Sequence, residues 1–450
     1  MKILIIGAGK VGYNMAQILS EEDHDVYVIE TDENRAQQVD ESLDVSVIHG
    51  SGSSIETLKR ARVQEADLML AVTQYDELNM VSCLLAKRFG VKKTVARVRN
   101  TEYLEYEFLS DLMKIDMFIN PEQVTAIEIA KIANYPESHS VDYYAGGRVQ
   151  MNQVTIPTDS PICGTTLTDL DSSVPYNILS IARQRKVIVP RGKDKILAGD
   201  RVTLMAQSQD ILEAERILGI NHHRTTSVTI LGGGRTGFYL AQLLEQVKPP
   251  INIKIIEQRL SRAKYISEAL NDSLIIHGDA GDYDLLEEEN IGSSDICVAV
   301  TSDDRINILC SLIAANLGVK KTIAQIKRLD VLPLIEQIGI DTVMSPRSLA
   351  AGAILKYIRR GDIVSVTMMN DERAELLELI VQEGSEADGK QLMKLRFPDG
   401  AVLGAIVRGN EVIIPEGRVV IQAQDQLMIF ALSSSVRKME KLFSHQRKRF

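Results

Sequence analysis

The chain has 450 residues, 45% of them hydrophobic and 25% charged, with a formal net charge of −10 and no tryptophan. That length holds two to four domains with cores of their own. The acidic balance argues against nucleic acid or anionic lipid as a partner, and no window reaches the roughly 18–20 apolar residues that cross a bilayer. Cys83, Cys163, Cys297 and Cys310 form no C-x-x-C pair and no metal spacing, so they read as buried free thiols in a reducing, cytoplasmic compartment. The short basic tail Arg447-Lys448-Arg449 reads as a solvated end.

The first element is the apolar strand Ile3-Leu4-Ile5-Ile6, too short and glycine-broken for a signal peptide. It runs into Gly7-Ala8-Gly9-Lys10-Val11-Gly12, which opens a helical pattern. In that context G-x-G-x-x-G is a dinucleotide-binding fingerprint. The first glycine makes the turn, the second lets backbone N–H groups approach a pyrophosphate, and the third lets helix and strand pack closely. Strands follow at Val26–Ile29, Val45–Ile48, Leu68–Val72 and Thr94–Val98, alternating with helical segments. That alternation predicts βαβ units and a parallel, doubly wound sheet. From about Val141 the pattern turns to hairpins, with Asp200 preceding the strand Val202–Met205.

The same series then begins again. Val228-Thr229-Ile230-Leu231 leads into Gly232-Gly233-Gly234-Arg235-Thr236-Gly237, and Val91-Lys92-Lys93-Thr94 recurs as Val319-Lys320-Lys321-Thr322. His49-Gly50 returns as His277-Gly278, Asn120-Pro121 as Ser345-Pro346, and Val187–Pro190 as Val412–Pro415. From about Ile363 hairpins return, with Arg408-Gly409-Asn410-Glu411 as a turn between two strands and Asp425 before Gln426–Phe430. The chain is a tandem duplication rather than a many-copy solenoid. Its expected units are 1–136 and 225–361, Rossmann-like doubly wound domains, and 137–221 and 362–450, small α+β domains.

Glu30 and Glu257 end the second strand of each half, about 20 residues beyond the glycines. A carboxylate there accepts from both ribose hydroxyls and repels a 2′-phosphate, which favours NAD over NADP. Thr73 and Thr301 stand at the carboxyl end of the fourth strand, beside Gln74 and Ser302. Two readings stand open for them: contact to phosphate or ribose, or a turn at the strand end. Asp76 and Asp304 read as caps of the next helix, and His49 and His277 as core or turn residues.

The halves diverge where charge matters. Arg97 and Arg99 correspond to Gln325 and Lys327, and Ser51 corresponds to Asp279. A guanidinium can pair with two phosphate oxygens; a glutamine brings no charge. The first site is therefore expected to accept ATP or ADP, and the second to favour a dinucleotide or bind weakly. An NAD-dependent dehydrogenase is the alternative class, but it needs an acid or base against the nicotinamide. His139 stands at the boundary of the first small domain, no histidine occurs between His277 and His445, and no G-K-[ST] of a P-loop is present. The expectation is a sensor, not an enzyme.

The order of the Gly7–Gly12 loop, Glu30, His49-Gly50-Ser51-Gly52, Ala71-Val72-Thr73 and Ala96-Arg97-Val98-Arg99 resembles an RCK (KTN) nucleotide-binding domain, with Asn120-Pro121-Glu122 similar to the start of its crossover helix. Ser160–Leu167 and Gly384–Leu392 resemble openings of the companion RCK-C domain. Both domains twice over resemble the regulatory-subunit family of Trk potassium-uptake systems. The resemblance implies a homotetrameric ring on the cytosolic face of a potassium-transporting membrane subunit, binding NAD(H) and adenine nucleotides. Gly7 to Gly12, Glu30, Thr73 and Arg97 carry over as ligand contacts, as do Gly232 to Gly237, Glu257 and Thr301; Gln325 does not supply the charge of Arg97. The segments 120–135 and 345–360 are then the crossover helices that pass on a change in domain angle.

Overall fold

The computed structural model describes residues 1–22, 24–100, 102–105, 112–170, 173–184, 186–328, 335, 338–358, 363–368 and 374–443. The basic tail Arg447–Arg449 and Arg360, at the end of the expected second crossover helix, lie outside them.

The first unit is a parallel sheet in the spatial order Ser46–His49, Asp25–Glu30, Lys2–Ile6, Leu68–Ala71, Lys93–Arg97, Met117–Ile119. The order reverses beside Lys2–Ile6, whose two outer neighbours come from opposite directions of winding. Ligands bind open α/β sheets at such a point, outside the carboxyl ends of the strands. Ile3, Ile5, Leu68, Leu70 and Val95 are buried on one face, and Leu4, Ile6, Met69, Ala71 and Ala96 on the other. Burial on both faces explains why these strands read as continuous apolar runs rather than alternating ones. The second unit repeats the order with Ser273–His277, Asn252–Glu257, Ser227–Leu231, Ile296–Ala299, Lys321–Gln325 and Thr342–Met344.

Each parallel unit is followed by a five-stranded antiparallel sheet. One has the order Lys186–Ile188, Tyr176–Arg183, Arg201–Gln207, Val149–Thr155, Ser138–Tyr144; the other is Ile363–Met368, Ala374–Ile380, Gln426–Leu432, Ala401–Arg408, Glu411–Ile413. Asp200 and Asp425, buried just before the central strands, pair with Arg183 and Arg408. The two sheets share a core in which Met151, Leu179 and Met205 meet Ala405, Met428 and Phe430. Gly404 allows that approach, since a Cβ there would lie 2.7 Å from the Met205 sulfur.

The crossover helices are exchanged between halves, which the sequence did not reveal. Pro121–Asn134, capped by the Asn120 carboxamide, places Ala126, Ile129 and Ile132 in the core of the second parallel unit beside Val228, Leu240 and Ile253. Pro346–Ile358 places Ala350, Ile354 and Leu355 in the first, beside Ile3, Met15 and Leu19. Neither parallel unit completes its core without a helix from the other half. All four cysteines are free, three of them buried. No described helix is long and apolar enough to cross a membrane.

Candidate functional site

Gly7 leaves the first strand at φ +95°, and a Cβ there would stand 2.9 Å from the Thr73 side chain. Glycine meets both demands. The helix Lys10–Glu21 starts at Gly9 with no side-chain cap and no acidic residue in its first turn. Its N-terminal N–H groups and the positive end of its dipole are therefore left for an anion. Gly12 lies so close to the loop that a Cβ would come 1.9 Å from the Gly7 carbonyl oxygen.

Glu30 is buried and accepts the Ala8 N–H at 2.6 Å through Oε2. Its Oε1 accepts from the Thr31 N–H at 2.8 Å, the Asp32 N–H at 3.0 Å and the Thr31 hydroxyl at 3.2 Å. The carboxylate thus ties the glycine turn to the end of the second strand. Four lone-pair sites on two oxygens leave Oε2 room for one further donor, so the expected ribose role survives only as an addition to this tether.

One open choice is decided and two expectations need correction. The Thr73 hydroxyl donates to Asn79 Oδ1 at 2.7 Å, and the Thr73 N–H reaches the same oxygen at 2.9 Å. Thr301 repeats this with Asn307 at 2.6 and 2.8 Å. The turn reading holds for both hydroxyls, although Thr73 still lines the cavity described below. Asp76 and Asp304 are not caps: they accept the N–H groups of Arg99 and Asn100, and of Lys327 and Arg328, and so fasten the loop after the fifth strand. The side chain that caps the second-half helix is Asp303. Ser51 bonds to Ser53 and is absent from the cavity wall, where its neighbours Gly50 and Gly52 stand. His49 and His277 fit their turn reading, each ring bonding at 3.0 Å to a backbone carbonyl, of Thr31 and Gln258 respectively.

A cavity of about 430 Å³ opens above the first loop. The first half contributes Gly7, Gly9, Lys10, Val11, Glu30, Gln74 and Arg97; the second contributes Gln325, Lys327, Pro346 and Arg347. Arg97 donates from Nη1 to the Thr73 carbonyl at 3.4 Å, while its buried Nε has no acceptor. Burial, then the nearby charge of Arg99, lowers its pKa. A guanidinium so placed has an unmet demand for an anion. Arg99 pairs with Glu122, donating from Nε at 2.9 Å. Burial would raise the Glu122 pKa, but the hydrogen bond and charge of Arg99 outweigh it and the net shift is downward. Six cationic and two carboxylate side chains border the cavity. These features fit a phosphorylated ligand.

Sequence reasoning missed Arg35, Asn79, Glu122 and the whole second-half wall as parts of this site. Asn79 was findable: it recurs in register as Asn307, and each carboxamide donates at 2.8 Å to the carbonyl of the diverged position, Arg97 or Gln325.

The second cradle has the same backbone, with Gly232 at φ +113° and Gly237 against the Gly232 carbonyl. Its polar groups engage one another. Glu257 accepts from the Gly233 N–H at 2.9 Å and from Arg259 Nε at 3.3 Å. Arg262 donates to the carbonyls of Gly233 and Gly234 and lies 4.8 Å from the Tyr265 ring centroid. Asp279 accepts from Gln258, and Gln325 accepts from Thr236 at 3.0 Å. Arg235 acts electrostatically on Arg97, across the halves. The described residues thus hold two unlike cradles, as the divergence at Arg97 and Gln325 implied.

Comparison with known proteins gives the same duplication. The TrkA-N domain model matches residues 3–121 and 228–346, and the TrkA-C domain model matches 151–219 and 376–444. The chain belongs to the TrkA family of Trk system potassium uptake proteins. It is 38% identical over 451 residues to "Trk system potassium uptake protein TrkA homolog 1" of Methanosarcina mazei, covering 98% of this chain and 100% of the relative. It is 35% identical to the TrkA of Halomonas elongata, covering 98% of each. These TrkA relatives are named for potassium uptake and not for an oxidoreductase, which sets the dehydrogenase alternative aside. In fold the chain is similar to the GsuK RCK domain (TM-score 0.63, 18% identity, covering 98% and 94% of the two chains) and to the GsuK channel bound to NAD (TM-score 0.64, 17% identity, covering 98% and 78%).

Proposed function

We propose that this TrkA-family chain is the nucleotide-sensing regulatory subunit of a Trk-type potassium transporter. It works in the cytoplasm as a homotetrameric ring on the membrane subunit. NAD(H) is a ligand of the cradles, and the first cradle also takes ATP or ADP. The observation that carries this reading is Arg97, a half-buried guanidinium whose buried Nε is unpartnered, facing a cavity above an uncapped helix N-terminus.

The Gly7–Gly12 loop and the start of its helix hold a pyrophosphate or phosphate, Arg97 adds charge, and Glu30 fixes the loop and takes a ribose hydroxyl. In the second half Gly232 to Gly237, Glu257, Asp279 and Thr301 form the corresponding cradle. A ligand changes transport only through unequal affinity for two arrangements of the protein. A cavity walled by both halves supplies that inequality, because a turn of one half against the other changes the wall. The exchanged crossover helices then carry the change to the antiparallel domains. The relatives' names support the potassium system, and the GsuK channel bound to NAD supports the ligand class.

The test is potassium uptake by a reconstituted Trk membrane subunit with this chain, titrated separately with NADH, NAD, ADP and ATP. Uptake is expected to change with at least one nucleotide. Uptake unmoved by all four overturns the proposal.

A further inference from the structure

The crossover helices carry opposite charges at one repeat-equivalent position. Asn120-Pro121-Glu122 opens the first and Ser345-Pro346-Arg347 the second, and both Glu122 and Arg347 border the cavity above the first loop. Their circumstances differ. Glu122 is paired with Arg99. Arg347 has no hydrogen-bond or ion-pair partner for its guanidinium among the described residues. Asp304 acts on it through space without bonding to it: Asp304 Oδ2 accepts the Lys327 and Arg328 N–H groups, and its buried Oδ1 has no hydrogen-bond partner. Partial burial lowers the Arg347 pKa, so its charge is held at a cost.

Lys10 and Arg35, across the cavity, also have side chains without a hydrogen-bond or ion-pair partner among the described residues, and both border a second, more open cavity with Arg347 and Arg328. Positive charge therefore exceeds what a single phosphate on the glycine loop would balance, and Arg347 brings part of that excess from the second half. Because the helix of Arg347 is built into the core of the first half, its N-terminus is held at the cavity from outside the Gly7–Gly12 loop.

We propose that Arg347 is a specificity-determining residue that makes the first cradle select nucleoside polyphosphates over monophosphates. The inference rests on the nucleotide reading above. One phosphate satisfies the loop and leaves Arg347 uncompensated; each further phosphate brings negative charge toward a cation from the other half. The ligand's charge then holds the two halves together, and phosphate number is read at the seam between them.

The test is calorimetric titration of the full chain and of Arg347→Ala and Arg347→Lys with ATP, ADP and AMP, after ligand-free melting of each variant. Arg347→Ala is expected to melt like the parent and to weaken ATP about tenfold or more, while AMP changes by roughly twofold or less. Arg347→Lys keeps the charge without the fork and is expected to fall between them. Should Arg347→Ala fold poorly, Arg347→Gln must show the same selective loss of ATP. Equal weakening of ATP and AMP, or no weakening of either, overturns the role of Arg347 and leaves the nucleotide site standing. A parent chain that binds none of the three overturns the adenine-nucleotide reading itself.

Discussion

A methyl group on Gly12 would lie 1.9 Å from the carbonyl oxygen of Gly7. The first helix and the glycine turn therefore approach each other as closely as backbone allows. Gly12→Ala forces them apart, and a cost of about 3 kcal/mol in unfolding free energy is expected. Gly9 is the control. Nothing lies within 4 Å of a Cβ built there, and its φ of −63° suits any residue. Gly9→Ala should cost about 1 kcal/mol as a weakened cap. Denaturant unfolding of both variants checks the contrast; a Gly12→Ala protein as stable as Gly9→Ala would refute the close approach.

Glu30→Ala removes the acceptor that holds the Ala8, Thr31 and Asp32 N–H groups together. We expect a loss of about 1–3 kcal/mol in stability and about tenfold weaker nucleotide binding at the first cradle. Melting and calorimetry on the same sample separate the two effects. Unchanged affinity would remove Glu30 from the site.

The exchange of crossover helices predicts shared stability. Leu355 is buried among Ile3, Met15 and Leu19, residues that precede it by more than three hundred positions. Leu355→Ala should cost about 2–5 kcal/mol, and the loss should appear in the first parallel unit, although the mutation lies in the second half. Hydrogen exchange mapped along the chain locates it. Weakened protection confined to residues beyond 225 would contradict the exchange.

Much of this was legible in the sequence, because the features concerned are local or repeated. Both faces of the parallel sheets are buried, so their strands stand out as apolar runs, and the glycine loops follow them at fixed register. The Arg97-to-Gln325 divergence needed only alignment of the chain with itself. What stayed hidden was relational. Ala126, Ile129 and Ile132 make an apolar stripe on any reading, but nothing in the stripe says which of two similar cores it enters. Hence the second-half wall of the first cavity, Lys327 and Arg347 included, was missed. The Thr73 hydroxyl was ambiguous for a related reason: its acceptor, Asn79, lies in the next helix.

Asp295 gives the pH prediction. Burial alone would raise its pKa, but hydrogen bonds from Lys320 Nζ at 2.7 Å, the Thr226 N–H and hydroxyl at 2.7 Å each and the Ser227 N–H at 3.1 Å hold it well below the usual carboxylate range. A depressed folded-state pKa contributes stability above the unfolded value, about 3.9, and that contribution fades as pH falls toward the folded one. Asp295→Asn should therefore cost about 2 kcal/mol at neutral pH. The gap between parent and variant should narrow below about pH 4. A gap that stays constant from pH 7 to pH 3 would contradict the assignment.

The most direct measurement is calorimetric titration of the chain and of Arg97→Ala, each with ATP and with NAD. Arg97 is a half-buried cation of the first cradle with a buried, unpartnered Nε, and Gln325 stands in its place in the second. Arg97→Ala is expected to weaken ATP about tenfold or more and NAD distinctly less. ATP and NAD weakened to the same extent, or ATP unaffected, would contradict it.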